Sequence, residues 1–309
     1  MADAPSQAVI RIGPAGWSYP DWRGIVYPKR KPRGFHELEY LAQFFDAVEV
    51  NTSFYNPPRP EVVKEWLRQV QHHPSFTFTA KLWQGFTHDR NATPEDERAF
   101  KDGIAPLAEA GRLGALLLQF PWSFKNDPEN RQYVADLCRQ FRECPLVIEV
   151  RHSSWNKPEI LEMLSELGVG FCNIDQPVIG RSIKPTENVT APVGYVRLHG
   201  RNYKEWFTTN ENPGQRYNYL YRLEELDPWV ERIRHVAQRS KVTFVITNNH
   251  ARGKAVANGL QLIALVTGRI VQAPESLLEE YPDLVPVAAA APAPAIQTSL
   301  PLAKPDDFS

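Results

Sequence analysis

Eight short β-rich runs, separated by stretches with helical spacing or by polar loops, constrain this chain more than any other feature. They fall at 9–15, 47–52, 76–81, 114–120, 146–150, 169–174, 194–198 and 242–248. Strand and helix alternating in this way is the signature of βα units around a parallel sheet. Most of the runs are near-continuously apolar, as in Ala115-Leu116-Leu117-Leu118, which suits strands covered on both faces. Eight is the number that closes a (β/α)8 TIM-type barrel, and the 309 residues accommodate one barrel of about 250 residues or two ordinary domains. The expected fold class is α/β, a single (β/α)8 barrel over 9–284, followed by a disordered Ala/Pro-rich tail over 285–309.

Helix starts are marked by Thr93-Pro94-Glu95, Asp127-Pro128-Glu129 and Asp227-Pro228-Trp229. Each places a capping oxygen before a proline whose missing N–H costs nothing at the first helical position. Residues 60–71 carry Val62, Val63, Trp66, Leu67 and Val70 at the spacing of a stripe that packs on a sheet. Between 176 and 192 no such stripe occurs, so the connection after the sixth strand is expected to be irregular. The polar, aromatic stretch 203–221 is expected beside the barrel mouth, where long loops are usually functional.

With 35 basic and 36 acidic side chains, the chain is not a polybasic coat for nucleic acid, although a balanced total can conceal a basic groove. Cys138, Cys144 and Cys172 are too few and too irregular for a disulfide framework or a zinc ribbon, which points to a reducing, cytoplasmic compartment. No leader-like start and no membrane-length apolar run is visible, so no membrane partner is expected.

In a (β/α)8 barrel the chemistry gathers at the C-terminal strand ends. Those ends carry Trp17, then Glu49, Asn51 and Tyr55, then Lys81 with His88 beyond it, Gln119, Glu149 with Arg151, Asp175, Arg197 with His199, and Asn248 with Asn249. Period-two alternation puts Glu149 and Arg151 on one side of the fifth strand, and Arg197 and His199 on one side of the seventh. The excess of cations predicts an anionic ligand, most simply a phosphate or phosphodiester, since Arg forks match phosphate oxygens. The alternative is an internal ion-pair network, Glu149 with Arg151 or Arg197 and Glu49 with Lys81, because perturbed charges also gather in structural pairs. A divalent metal is a further option, with Glu149, Asp175 and His199 as candidate ligands and Glu49 in support. Against it stand the nearby cations and the lack of a paired-His motif. Glu49 and Glu149 also meet the minimum for a glycosidase, with Trp17, Trp22, Trp83 and Trp122 to stack sugars, but the same cations argue against a neutral sugar. Cys172, inside an apolar run, reads as a buried thiol. The segment from Asn249 to Lys254 is a candidate phosphate site at a helix N-terminus.

These blocks resemble a known family. Gly13-Pro14-Ala15-Gly16-Trp17-Ser18-Tyr19, Val48-Glu49-Val50-Asn51-Thr52-Ser53-Phe54-Tyr55, Lys81 with Thr87-His88, Gln119-Phe120-Pro121, Glu149-Val150-Arg151-His152-Ser153-Ser154-Trp155, Arg197-Leu198-His199-Gly200 and Asn248-Asn249 are similar, in the same order, to the YecE-like family, a domain of unknown function. The similarity runs from Ile12 to Leu265 and implies a TIM-type barrel whose site is built from those blocks, with no established reaction. Two departures are Val26, where Phe is usual, and His250, where an acidic residue is common. In the tail, Gln297-Thr298-Ser299-Leu300-Pro301-Leu302 resembles the peptide with which bacterial replication and repair proteins bind the DNA polymerase sliding clamp. That resemblance gives Gln297 and Ser299 polar roles and makes Leu300 and Leu302 apolar anchors.

The combined expectation is a DNA-repair or DNA-processing protein, a phosphodiesterase or nuclease. Lys81, Arg151 and Arg197 would hold phosphate, Glu149 and His199 would exchange protons, and Asp175 and Glu49 would support an optional cation. A clamp-binding tail would supply DNA proximity through effective concentration. The other expectations are a metabolic enzyme acting on a sugar phosphate or another small anion, and a non-catalytic nucleic-acid-binding module.

Overall fold

In a computed structural model, which describes residues 9–206 and 213–291, eight parallel strands form one sheet in the order β1-β8-β7-β6-β5-β4-β3-β2. They are β1 (Val9–Pro14), β2 (Ala47–Val50), β3 (Thr77–Lys81), β4 (Leu113–Gln119), β5 (Leu146–Glu149), β6 (Gly170–Asp175), β7 (Val193–Leu198) and β8 (Val242–Thr247). The sheet closes on itself where Ala15 bridges Glu49 and the Gly16 amide donates to the Glu49 carbonyl at 2.8 Å. All eight expected strands are present, each within a residue or two of the expected range.

At the closing seam β1 and β2 approach too closely for a side chain. A Cβ on Gly13 would lie 1.8 Å from the Ala47 carbonyl oxygen. Gly16, at φ 78°, turns the chain in the left-handed region, and a Cβ there would meet the Tyr19 hydroxyl at 2.6 Å.

Two of the three capping signals act as expected. Thr93 accepts from the Asp96 amide at 3.2 Å while Asp96 accepts from the Thr93 amide at 2.8 Å, opening the helix Pro94–Glu109. Asp127 accepts from the Asn130 amide at 2.8 Å ahead of Pro128–Gln140. The third signal does not start a helix. The helix there is Leu223–Ala237, with Pro228 inside it and the Glu225 carboxylate accepting from the Arg222 amide at 3.0 Å. Burial of Leu226, Trp229, Val230 and Ile233 on its apolar face outweighs the one hydrogen bond that Pro228 forgoes.

No helix or strand separates β6 from β7, as the missing stripe implies. The fold continues past Leu284, where the tail was expected to begin. Ala288–Ala290 forms strand β10, parallel to β9 (Val271–Ala273), and Ala288 is buried among Leu260, Ala273 and Leu277. A run of alanines has no strand signature of its own, and pairing to β9 decides its conformation. The peptide 297–302 lies outside the described residues. Among those residues no helix is long and apolar enough to cross a membrane.

Candidate active site at the barrel mouth

Alternation along β7 sends Tyr195 and Arg197 into the barrel, with His199 just beyond, while Val196 and Leu198 pack outward against Leu226 and Trp229. Arg197 is fully buried and its guanidinium is the hub of the interior. One arm donates to Glu49 Oε1 at 2.7 Å, and the other to Glu149 Oε2 and, at 3.3 Å, to Gln119 Oε1. Arg151 donates to Glu149 Oε1 through Nη2 at 2.8 Å and Nε at 3.1 Å. The Tyr195 hydroxyl donates to Glu49 Oε2 at 3.0 Å and lies 2.8 Å from Thr79 Oγ1. The ion-pair network that the sequence left open is therefore present for four of the charged residues, but the Glu49 pairing goes to Arg197 and not to Lys81.

Burial alone would raise Glu149, but the guanidiniums of Arg197 and Arg151 hold its carboxyl well below the usual range. His199 is fully buried, with Nδ1 2.9 Å from Asn248 Nδ2 and Nε2 3.2 Å from Glu149 Oε1. Desolvation pulls it down to about 3, against the attraction of Glu149. A carboxylate held ionised beside an imidazole held neutral is a poor proton-exchanging couple near neutrality. Neither side chain is among those that line the mouth cavity.

Asp175 belongs elsewhere. It is buried, accepts from Arg201 Nε at 3.0 Å and lies 2.9 Å from Arg201 Nη2, and burial raises its pKa despite that partner. Glu149, Asp175 and His199 do not converge as a metal set. Among the described residues no group of three or more His, Cys, Asp or Glu is placed to hold an ion.

Lys81 stands apart from the network. It is half-buried at the end of β3, its carbonyl accepting from Ser53 Oγ at 2.7 Å and its Nζ resting 4.1 Å from the centre of the Phe54 ring. Burial, then the charge of Arg197, lower its pKa from 10.5 to about 7.

The amine lines a cavity of about 1070 Å³ at the mouth, bounded also by Trp17, Tyr19, Asn51, Tyr55 and Asn248, all from strand-end blocks. Trp17 meets Trp66 edge-on at 5.3 Å, and Tyr19 stacks on His250 at 4.5 Å. The cavity's described lining carries Arg59, Lys81 and Arg216 and no carboxylate. Asn51 Oδ1 is buried there without a partner, its Nδ2 being 3.3 Å from the Tyr19 hydroxyl. Tyr55 is 62% exposed at the rim.

Other expected residues lie off this cavity. His88 contacts Phe54 edge-on at 4.9 Å and lines a separate pocket of about 280 Å³. Asn249 is structural, donating to the Tyr219 carbonyl at 2.8 Å and to Asn258 Oδ1 at 2.7 Å. Trp22 is buried, donating to the His250 carbonyl at 2.7 Å. In the glycine-containing turn the Arg252 amide donates to Asp21 Oδ2 at 2.6 Å, so one amide of the expected phosphate site is already bonded to a carboxylate of the protein. Sequence reasoning did not single out Arg59 or Tyr217, placed Trp66 only on a packing stripe and noted His250 only as a departure from the family pattern. Tyr217 lay within the loop singled out for its length, whereas Arg59 and Trp66 look like ordinary helix residues until the fold brings that helix to the mouth.

Residues 11–280 match the model of a family described as "Protein of unknown function DUF72". The Bacillus subtilis UPF0759 protein YunF is 30% identical over 277 residues, covering 84% of this chain and 95% of that protein. The Escherichia coli UPF0759 protein YecE is 31% identical over 148 residues, 47% of this chain and 49% of that one. Two solved structures of DUF72 family proteins resemble this one. That from Thermotoga maritima shares 32% identity at a TM-score of 0.73, over 84% of this chain and 99% of its own. That from Enterococcus faecalis shares 28% at 0.73, over 84% and 96%.

Proposed function

The chain belongs to the DUF72 family, and on that footing we propose that its barrel-mouth cavity binds a phosphodiester-bearing ligand, as the substrate site of a DNA-processing protein. The observation that carries this reading is the lining of the cavity, with Arg59, Lys81 and Arg216, aromatic walls and no carboxylate among the described residues. Cations track a phosphate backbone, and aromatic faces stack on unpaired bases without demanding a sequence. Buried Arg197 and Arg151 lie behind them but are neutralised by carboxylates, so they tune the floor and leave direct contact to the rim.

Fluorescence anisotropy with labelled single-stranded oligonucleotides tests this reading. At pH 6, where Lys81 is charged, three phosphate contacts are expected to give a slope of log K against log salt of about −2, and Lys81→Ala or Arg59→Ala should each reduce that slope by about 0.7. Binding that ignores salt, or that is lost equally when unrelated surface arginines are changed, overturns the proposal. Saturable binding of a sugar phosphate in place of DNA would move the site to small-anion metabolism.

Recruitment to DNA is proposed to run through the tail, where Leu300 and Leu302 anchor in the groove of a sliding clamp and Gln297 and Ser299 bond its rim. In a clamp pull-down, the full chain carrying Leu300→Ala and Leu302→Ala should lose at least tenfold in retained protein. Equal retention of the two chains would remove the clamp from the account.

A further inference from the structure

Within that anion-binding reading, on which this inference rests, one of the three cations is set apart from the two arginines. Lys81 is an amine at the end of a barrel strand, facing the cavity, and among the described residues no carboxylate lies within ion-pair distance of its Nζ. The acid best placed to pair with it, Glu49 on the neighbouring strand, is held by Arg197 and Tyr195. The backbone under it is pinned by Ser53, and the amine itself rests over the Phe54 ring. A cation wanted only for charge is ordinarily hydrated or paired. Among the described residues this one has no carboxylate partner and feels the charge of Arg197, the setting in which a lysine becomes a nucleophile.

We infer that Lys81 Nζ is an imine-forming nucleophile for a phosphate-bearing aldehyde bound in the mouth cavity. The free amine attacks the carbonyl carbon and the carbonyl oxygen takes up a proton to give a carbinolamine. Loss of that oxygen as water leaves the C=N bond, protonated at nitrogen, with no change of oxidation state. Asn51 Oδ1, buried in the same cavity without a partner, is placed to accept from a hydroxyl beside the carbonyl. The charged groups that face the amine are Arg197 on β7, Glu49 on β2, Glu149 and Arg151 at the end of β5, and His88 beyond β3. Burial, and then Arg197, bring Lys81 to about 7, so roughly half of the amine is neutral at pH 7.

Aldehydes of this kind come from two sources, an open-chain sugar phosphate or a nucleotide in DNA that has lost its base. The test incubates the full chain with glyceraldehyde 3-phosphate or with an oligonucleotide carrying one abasic site, adds cyanoborohydride, and reads intact mass and peptide map. The expected product is a single adduct at Lys81, heavier by the probe less one oxygen atom and absent from Lys81→Arg. The probe that reacts at lower concentration identifies the source. Its yield should fall about tenfold per pH unit below 7 and level off above it, whereas exposed lysines should react faster up to about pH 10. Anisotropy or calorimetry without reductant runs in parallel. Saturable binding with adducts scattered over surface lysines, the same in wild type and Lys81→Arg, overturns the imine and leaves the anion site standing. If neither probe binds, both fall.

Discussion

Arg197→Met is expected to lower folding stability by about 3–5 kcal/mol, the range for removing one partner of a buried ion pair. The native arginine touches two carboxylates at once, Glu49 and Glu149, and all three side chains are out of water. Without it Glu149 keeps Arg151 as a partner, but Glu49 retains only the Tyr195 hydroxyl, and an ion left without a counter-charge in the interior is the costly outcome. Arg197→Lys should lose less, because the charge survives while the fork that spans both acids does not. The pair Arg197→Met and Glu49→Gln should recover part of the loss, since the stranded acid is removed with its partner. Chemical denaturation, with the midpoint falling at constant slope, measures all three. A loss below about 1 kcal/mol for Arg197→Met would mean that water reaches the network.

Gly13→Ala is expected to be as damaging for a steric reason. The added carbon would sit 1.8 Å from the Ala47 carbonyl oxygen, and the obstacle is backbone that cannot rotate away. Strands β1 and β2 would have to part, breaking the Ala15–Glu49 bridge and moving the turn that carries Trp17 and Tyr19 into the cavity. The expected result is a melting temperature lower by on the order of ten degrees, together with weakened oligonucleotide binding. Gly34→Ala is the matched control, because the space around Gly34 is open. Its left-handed backbone, at φ 78°, still carries a modest strain of about 1 kcal/mol. If Gly13→Ala melts no lower than Gly34→Ala, the seam is not closed as described.

The barrel was legible in the sequence because strands buried on both faces leave continuous apolar runs, and because Thr93 and Asp127 mark helix starts with local chemistry. Much of the mouth was legible too. Trp17, Asn51, Tyr55, Lys81 and Asn248 all line one cavity. What alternation along a strand does not supply is the pairing across the barrel. It puts Glu149, Arg151, Arg197 and His199 inward, but the closed barrel decides that Arg197 reaches Glu49 and leaves Lys81, among the described residues, without an acid. Asp175 sits at a strand end like the rest, yet it turns to Arg201, a residue outside any expected strand. The alanines of β10 and the helical Pro228 obey tertiary packing over local preference.

The closing seam bears on how the chain folds. β1 is hydrogen-bonded along its whole length to β8, from Val9 against Val242 to Pro14 against Thr247, and meets β2 only at a bridge. The barrel's first strand therefore waits for its eighth. Until β8 emerges from the ribosome, β1 presents an unpaired edge, and the loop to be closed spans most of the barrel. Folding of this protein is accordingly a late, high-contact-order event, slow on the scale of small domains and dependent on protection of that edge while the chain is being made.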